Sequence, residues 1–171
     1  MVEFAYPALK GLARVVKAFD RAYAAAKKEK SILDFHDFER YAMEILLSKS
    51  ETGYEPSQAA KEYRTKYRYL VIDEYQDSSD VQELILSSIA RCDEVGGTSN
   101  IFMVGDVKQS IYGFRQARPE LFLDKYEAYQ ETGFPRKITL QQNFRSRREI
   151  LEGINFIFRA LMCKESAQME Y

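Results

Sequence analysis

The chain has 171 residues, of which 46% are hydrophobic and 30% are charged, and its formal net charge is -1. This size and composition suit one globular domain with a buried core. The balanced charge excludes a protein with a global attraction for nucleic acid, so any DNA-binding surface must be local. Cys92 and Cys163 lie far apart without a Cys-x-x-Cys spacing, which argues against a disulfide framework and a zinc site. Without a secretory leader or a membrane-spanning apolar stretch, we expect a soluble, cytoplasmic protein with no membrane partner.

Two amphipathic helices are predicted at the start of the chain. The first carries apolar residues at spacings of three and four and is interrupted by the lysine-rich residues 27–30; its apolar residues are Leu9, Leu12, Val16, Phe19 and Tyr23. The second is expected to begin at Asp34, a good N-cap residue, and to end at Thr52-Gly53. Its apolar side carries Phe35, Phe38, Ala42, Ile45 and Leu46.

Three short runs of residues predict strands, each followed by a polar loop. The first two, residues 69–72 and 101–104, are interpreted as buried strands. Gly96-Gly97 marks the turn before the second, and residues 138–140 form the third.

Helical signals alternate with these strands. Ser79-x-x-Gln82 and Ser146-x-x-Glu149 have the pattern of capping boxes, and Pro119 suits the first turn of a helix between them. Alternating strands and helices predict an α/β fold with a parallel sheet, in which ligands bind beyond the carboxyl ends of the strands. All the polar loops described above lie there.

Asp73 and Glu74 directly follow the first strand. A nucleotide-hydrolysing fold places one carboxylate at this position for magnesium and a second one to orient or deprotonate water. Taken alone, the dipeptide is more simply read as a strand end that caps the next helix. The wider pattern decides between these interpretations.

The chain resembles the UvrD/Rep superfamily of DNA helicases in three motifs that follow in the expected order. They are Asp73-Glu74-Tyr75-Gln76-Asp77 (motif II), residues 104–115 (Val-Gly-Asp-Val-Lys-Gln-Ser-Ile-Tyr-Gly-Phe-Arg, motif III) and residues 142–146 (Gln-Asn-Phe-Arg-Ser, motif IV). Within that superfamily, residues 106–109 and 119–122 look most like the AddA group, the helicase-nuclease subunits of bacterial recombination. The likeness extends from about Leu33 to Met162.

The resemblance implies a partial RecA-like P-loop NTPase motor domain over residues 34–171, with a parallel sheet flanked by helices. Residues 1–33 would then be the end of an inserted helical subdomain. It also implies ATP and Mg2+ as cofactors, and translocation on single-stranded DNA that unwinds duplex DNA in recombination and double-strand break repair. A nuclease subunit of the AddB type is the implied protein partner.

Carried over position by position, the resemblance assigns roles to single residues. Asp73 would organise magnesium and Glu74 would activate the attacking water. Gln109 would sense the γ-phosphate or its water, and Arg145 would stabilise charge on the transferred phosphoryl group. The plainer roles of the last two are a loop-stabilising hydrogen bond and part of a solvated basic patch. Supporting motif residues are Gln76, Asp77, Gly105, Asp106 and Asn143.

The third motif also resembles the family's DNA-facing residues. Tyr112 and Phe114 would stack on unpaired bases, and Arg115 would approach a phosphate or a base face. The family usually has tryptophan at the position of Phe114, so the ring available for stacking on bases is smaller here. Residues 136–148 add a local basic surface, which faces either DNA phosphates or a second motor domain: Arg136, Lys137, Arg145, Arg147 and Arg148.

The sequence contains no Gly-x-x-x-x-Gly-Lys-Ser/Thr loop to cradle ATP phosphates. We therefore expect a fragment of a longer helicase that hydrolyses ATP weakly or not at all by itself. An alternative is a stand-alone nucleic-acid or protein interaction module that has lost the motor. A metal-dependent nuclease built on Asp73, Glu74, Asp77 and Asp80 ranks last, because it leaves Gln109, Arg145 and the aromatic third motif without a role.

Overall fold

The structure, a computed structural model, describes residues 2–51, 53–91 and 99–162, with side chains from Tyr6 onward. The predicted features at Thr52, Gly96-Gly97, Cys92 and Cys163 lie outside the described residues. The chain divides into two compact units, residues 1–136 and residues 137–171. The domain boundary that the sequence predicts between residues 33 and 34 stays a prediction.

Helices and short strands alternate along the first unit, so the α/β class is confirmed. In chain order the elements are α1 (Val2–Lys30), α2 (Phe35–Leu46), β1 (Leu47–Ser50), β2 (Gly53–Pro56), α3 (Gln58–Lys66), β3 (Leu70–Ile72), α4 (Asp80–Ile89), β4 (Ile101–Met103) and α5 (Pro119–Ala128). In the described residues, no helix has the length and apolar character needed to cross a membrane.

The junction of α1 and α2 is held by charge. Asp34 caps α2, and it forms a capping box with Asp37. Lys27 donates to both carboxylates, at 2.9 Å from Asp34 Oδ2 and at a shorter distance from Asp37. The predicted N-cap is confirmed, and the helix itself continues through residues 27–30, where the apolar stripe was expected to break. Lysine is a good helix former that is favoured near a helix C-terminus, so α1 continues to Lys30.

A β-hairpin and a helix occupy the polar stretch after α2. The helix ends at Leu46 rather than at Thr52-Gly53, because Leu47 turns into an extended strand. β1 and β2 pair antiparallel, and Gly53 at the turn has a φ of 135°, which favours glycine. Ser57 then caps α3 by accepting a hydrogen bond from the Ala60 backbone. Neither the hairpin nor this helix was predicted from the sequence.

The strands that position the candidate site are β3 and β4. They pair in parallel, with Leu70 opposite Ile101, and α4 crosses between them from the confirmed capping box of Ser79 and Gln82. Both strands were predicted, but the prediction that they are buried is wrong. Val71 is 71% exposed and Phe102 is 56% exposed, because only one face of this two-stranded sheet is packed.

The second unit contains α6 (Arg148–Leu161). Its predicted strand at residues 138–140 is wrong: in the described part of the chain these residues pair with no strand, and Leu140 is 84% exposed. A run of three residues, even with β-branched Ile138 and Thr139, has no stable extended state without a partner strand. The predicted Ser146 cap is also wrong. α6 has Arg147 at its N-cap position and begins at Arg148. The Ser146 backbone N–H donates to Asn143, so it is not available to Glu149 for a capping box.

Candidate functional site

The acidic turn, residues Asp73–Asp77, follows β3 directly. Residues 75–77 form a single 3₁₀ turn, and Glu74 before them has left-handed backbone angles, φ 51° and ψ 42°. Asp73 Oδ1 accepts a hydrogen bond from the Glu74 backbone N–H at 2.9 Å. A left-handed residue other than glycine costs roughly 1–2 kcal/mol and persists only where its surroundings impose it. Both carboxylates are exposed, so the buried neighbours must impose it.

Tyr75 connects the acidic turn to the loop after β4 and to helices α4 and α5. Its side chain is fully buried, and its backbone N–H donates to the Val104 carbonyl at 3.0 Å. The phenol donates to Glu83 of α4, which also accepts from Lys125 of α5 at 2.7 Å. Burial and the bond to Glu83 raise the pKa of Tyr75. Burial lowers the pKa of Lys125, but the bonds to Glu83 and Tyr75 outweigh it and raise that pKa overall.

Gln76 connects the acidic turn to the loop after β4. Its side chain is 1% exposed, and both ends of the amide are used. Nε2 donates to Glu74 Oε2 at 2.7 Å, and Oε1 accepts from the Asp106 backbone N–H at 3.0 Å. The second and third motifs are therefore linked through one buried side chain.

The loop after β4 is organised by Asp106. Its carboxylate accepts from the Lys108 backbone at 3.1 Å, forms an ion pair with Lys108 Nζ at 3.0 Å, and accepts from Gln109 Nε2 at 3.1 Å. Burial raises the pKa of Asp106, but the bonds from Lys108 and Gln109 prevail and lower it. In this structure the Gln109 amide makes the loop-stabilising bond, and its phosphate-sensing role stays a prediction.

An open pocket adjoins the acidic turn. Three carboxylates line it together with apolar side chains of β3 and α4: Asp73, Glu74, Asp77, Ile72, Ile85 and Leu86. Among the described residues, Asp77 Oδ1 is buried without a hydrogen-bond partner. Burial, and then the charge of Glu74, raise the pKa of Asp77. Carboxylate oxygens beside open space fit Mg2+, which binds through one or two carboxylates and keeps several waters.

Asp80, the fourth carboxylate of the nuclease alternative, is engaged elsewhere. It forms an ion pair with Arg118 at 2.8 Å. In the described ranges, no three His, Cys, Asp or Glu side chains form a group that could hold a metal by themselves. A magnesium site here therefore needs ligands beyond these side chains, such as water or substrate phosphates.

The aromatic turn, residues Tyr112–Arg115, presents its side chains to solvent. Phe114 is 78% exposed and Tyr112 is 37% exposed, with the two ring centres 5.9 Å apart. The guanidinium of Arg115 lies 5.3 Å from the Tyr112 ring centre and 5.6 Å from that of Phe114. The three side chains predicted to contact DNA thus form one exposed group.

In the second unit, Asn143 shapes the motif that contains Arg145. Asn143 Oδ1 accepts from the backbone N–H groups of Arg145 and Ser146, at 3.0 Å and 2.9 Å. The Arg145 side chain is exposed. Of the predicted basic surface, Arg136 belongs to the first unit, and the other members belong to the second: Lys137, Arg145, Arg147 and Arg148.

The sequence reasoning missed the residues that support the site. Glu83, Lys125 and Phe122 surround Tyr75, with the Phe122 ring centre 6.1 Å from the Tyr75 ring centre. Each lies on a helix whose pattern shows only an ordinary amphipathic face. Glu83 lies only eight residues after Tyr75. The contacts of α5 with Tyr75 are long-range, so spacing along the chain carries no signal for them.

Comparison with known proteins gives consistent matches. The family model for the UvrD/REP helicase N-terminal domain matches residues 6–130. An ATP-dependent helicase/nuclease subunit of Clostridium kluyveri is 50% identical over 169 residues, which is 97% of this chain and 13% of that protein. Proteins of the same name from Clostridium perfringens and Acetivibrio thermocellus are 49% and 47% identical. The chain spans about 13% of the length of the relatives it matches.

Proposed function

The chain belongs to the UvrD/REP helicase N-terminal domain family, and we propose on this basis that it forms part of the motor of an ATP-dependent DNA helicase. The observation that carries the proposal is the link between the acidic turn and the loop after β4 through Gln76. It joins the residues expected to hydrolyse ATP to those expected to detect it. The proposed architecture is a RecA-like motor domain, of which β3 and β4 form part of the parallel sheet.

The hydrolytic roles follow from the chemistry of the side chains. Asp73 would hold Mg2+, which when bound neutralises charge on the phosphates. Glu74 lies one residue farther along and is exposed, so it can accept a proton from an attacking water. Gln109 would report on the γ-phosphate by exchanging its bond to Asp106, and Arg145 would stabilise the transferred phosphoryl group.

The aromatic turn would bind single-stranded DNA. Phe114 and Tyr112 offer exposed ring faces, and Arg115 adds a cation beside both rings. Stacking on bases does not depend on their sequence, which suits a motor that moves along any strand. Duplex DNA is then the substrate for unwinding in recombination and double-strand break repair.

The chain would act within a longer, cytoplasmic protein. Its relatives are each named as one subunit of a helicase/nuclease, and this supports a partner protein of the AddB type. No phosphate-cradling loop occurs in the 171 residues, so we expect the chain alone to hydrolyse ATP weakly or not at all.

The test compares ATP hydrolysis by a longer protein that carries this chain with hydrolysis by the chain alone. In the longer protein, Glu74→Gln should remove DNA-stimulated turnover while ATP still binds, because the amide cannot accept the proton. Ser87→Ala, a change at an exposed position of α4, serves as the control and should leave turnover intact.

Two results would contradict the proposal. One is full turnover in the longer protein with Glu74→Gln. The other is steady, DNA-stimulated turnover by the 171-residue chain itself. DNA binding by the longer protein without any ATP hydrolysis would instead favour the interaction module, and cleavage of DNA without ATP that is lost with Asp73→Ala would favour the nuclease.

A further inference from the structure

We propose that Gln76 is a positioning residue that orients the Glu74 carboxylate according to the state of the loop after β4. The inference rests on the proposed function, and it adds a means by which the nucleotide-sensing loop controls the hydrolytic carboxylate. The first support is geometric. One buried amide donates to Glu74 Oε2 at 2.7 Å and accepts from the Asp106 backbone at 3.0 Å.

The amide of glutamine suits both of these bonds. It presents a donor and an acceptor on the same carbon, whereas glutamate at neutral pH presents two acceptors and methionine offers no donor and only a weak sulfur acceptor. Because Gln76 is 1% exposed, water does not replace a lost partner easily. A buried polar group left unpaired costs roughly 1–3 kcal/mol, so both bonds are strongly favoured in the folded chain.

Gly105 supports the inference independently. A Cβ at this position would lie 2.6 Å from Gln76 Oε1, closer than any real contact. The φ angle of Gly105 lies outside the left-handed region, so the backbone itself does not demand glycine there. The tightest restriction therefore comes from the side chain of Gln76, with the Phe122 ring at 3.1 Å and the Gln76 backbone nitrogen at 3.3 Å as lesser restrictions.

The hydrogen-bonded series continues from Asp106 to Gln109, the predicted phosphate sensor. Asp106 Oδ2 accepts from Gln109 Nε2 at 3.1 Å, so Glu74, Gln76, Asp106 and Gln109 form a continuous series. When Gln109 leaves Asp106 for a phosphate, Asp106 loses the side-chain bond from Gln109 and keeps those from Lys108, so its backbone is held less firmly. Gln76 would transmit that shift to Glu74, whose left-handed backbone makes its orientation dependent on its neighbours.

The contact itself is tested in the 171-residue chain by NMR of the Gln76 side-chain amide. Glu74→Ala should shift both amide proton resonances of Gln76 and speed their exchange with solvent. Ser87→Ala on α4 is the control and should leave them in place. Unchanged Gln76 resonances in Glu74→Ala would overturn the inference, whatever the outcome of the hydrolysis experiments.

The role is tested in the longer protein by the kinetics of ATP hydrolysis. Gln76→Met keeps the side-chain length and removes both bonds, and it should lower kcat by at least about tenfold while changing the KM for ATP by less than about threefold. Gln76→Glu keeps the acceptor for Asp106 but loses the donor to Glu74, so it should lower kcat similarly. Retention of kcat in both variants, or a matching rise in KM, would reject a positioning role.

A double-mutant cycle separates this role from simple packing. Gly105→Ala should lower kcat in the wild-type background, because the new methyl group displaces the Gln76 amide. In a Gln76→Ala background the same change should cost clearly less, because the clash with Oε1 is gone. Equal losses in both backgrounds would mean that Gly105 acts independently of Gln76 and would contradict the inference.

Discussion

Two short turns of this molecule are built alike and supported differently. The acidic turn and the aromatic turn each contain one 3₁₀ turn, at residues 75–77 and 113–115, and each has one left-handed residue beside it, Glu74 or Gln116. In the acidic turn, two fully buried side chains hold exposed carboxylates. In the aromatic turn, in contrast, the functional side chains are exposed and contact mainly one another.

This difference follows from what each turn is proposed to do. A carboxylate that prepares a water must be held close to its working geometry, and this needs rigid support from behind. A ring that stacks on passing bases needs an open face and tolerates rotation. Burial therefore indicates which residues set geometry, and exposure indicates which ones meet the substrate.

The largest expected effect comes from removing the buried anchor of the acidic turn. Tyr75→Ala should lower the free energy of unfolding by about 3–5 kcal/mol, the usual cost of deleting a buried aromatic ring. It also leaves Glu83 and Lys125 without their phenol partner. Tyr112→Ala in the aromatic turn should cost about 1 kcal/mol or less. Urea denaturation of both variants measures the difference, and equal losses would remove the contrast between the turns.

The next effect compares a glycine from each region. Gly105→Ala should destabilise the chain by about 1–3 kcal/mol, because its methyl group meets the Gln76 amide and the Phe122 ring. Gly113→Ala meets nothing within 4 Å and should change stability by about 0.5 kcal/mol or less. Thermal unfolding of the pair is the measurement. If Gly105→Ala left the stability unchanged, the packing of Gly105 against Gln76 beside the acidic turn would have to be loose.

The third prediction concerns DNA binding. Here the larger effect is expected from the aromatic turn rather than from the acidic turn. Phe114→Ala should weaken single-stranded DNA binding by about 1–3 kcal/mol, the contribution of one stacked base. The same change should alter stability by about 0.5 kcal/mol or less, since the ring is 78% exposed. Phe114→Trp, with a larger ring, should bind at least as tightly. Fluorescence anisotropy with a labelled oligonucleotide measures the affinity. An unchanged affinity in Phe114→Ala would exclude stacking of DNA bases on Phe114.

The smallest expected effect is a pH dependence of stability, which a change in the acidic turn should show and a change in the aromatic turn should not. A raised pKa means that ionising Asp77 costs more in the folded chain than in the unfolded chain, so the penalty appears as the pH rises through 3.8 and is complete above the folded pKa. Asp77→Asn should therefore be slightly more stable than wild type at pH 7, by less than about 1 kcal/mol because solvent screens the charge. The gain should vanish below pH 3.8. Denaturation at several pH values tests it, with Phe114→Ala as a pH-independent control.

Local patterns in the sequence predicted the elements near the site. The strands at residues 70–72 and 101–103, the cap of α4 and the start of α5 at Pro119 all depend on neighbouring residues, and the structure confirms them. The residues of the aromatic turn were instead named through the resemblance to the helicase family. The strands and the helix starts could be found because such elements are encoded within a few residues.

Features that depend on distant partners were not predictable in this way. The run at residues 138–140 has strand character, but it pairs with no strand in the described residues. The two bonds of Gln76 depend on how β4 lies beside β3, and the support from Lys125 depends on where α5 packs. The packing of such distant partners is settled by the fold and leaves no trace in the spacing along the chain.

The junction between α1 and α2 has a mechanical consequence. Lys27 joins the end of α1 to both carboxylates of the α2 cap, and Glu39 of α2 accepts from Gln82 of α4 at 2.9 Å. About 25 residues of α1 extend beyond this fixed point, a lever of roughly 38 Å at 1.5 Å per residue. A rotation of about 5° at Lys27 moves the far end by about 3 Å, given that length. A small tilt at the base of the helix would thus become a much larger displacement at its far end.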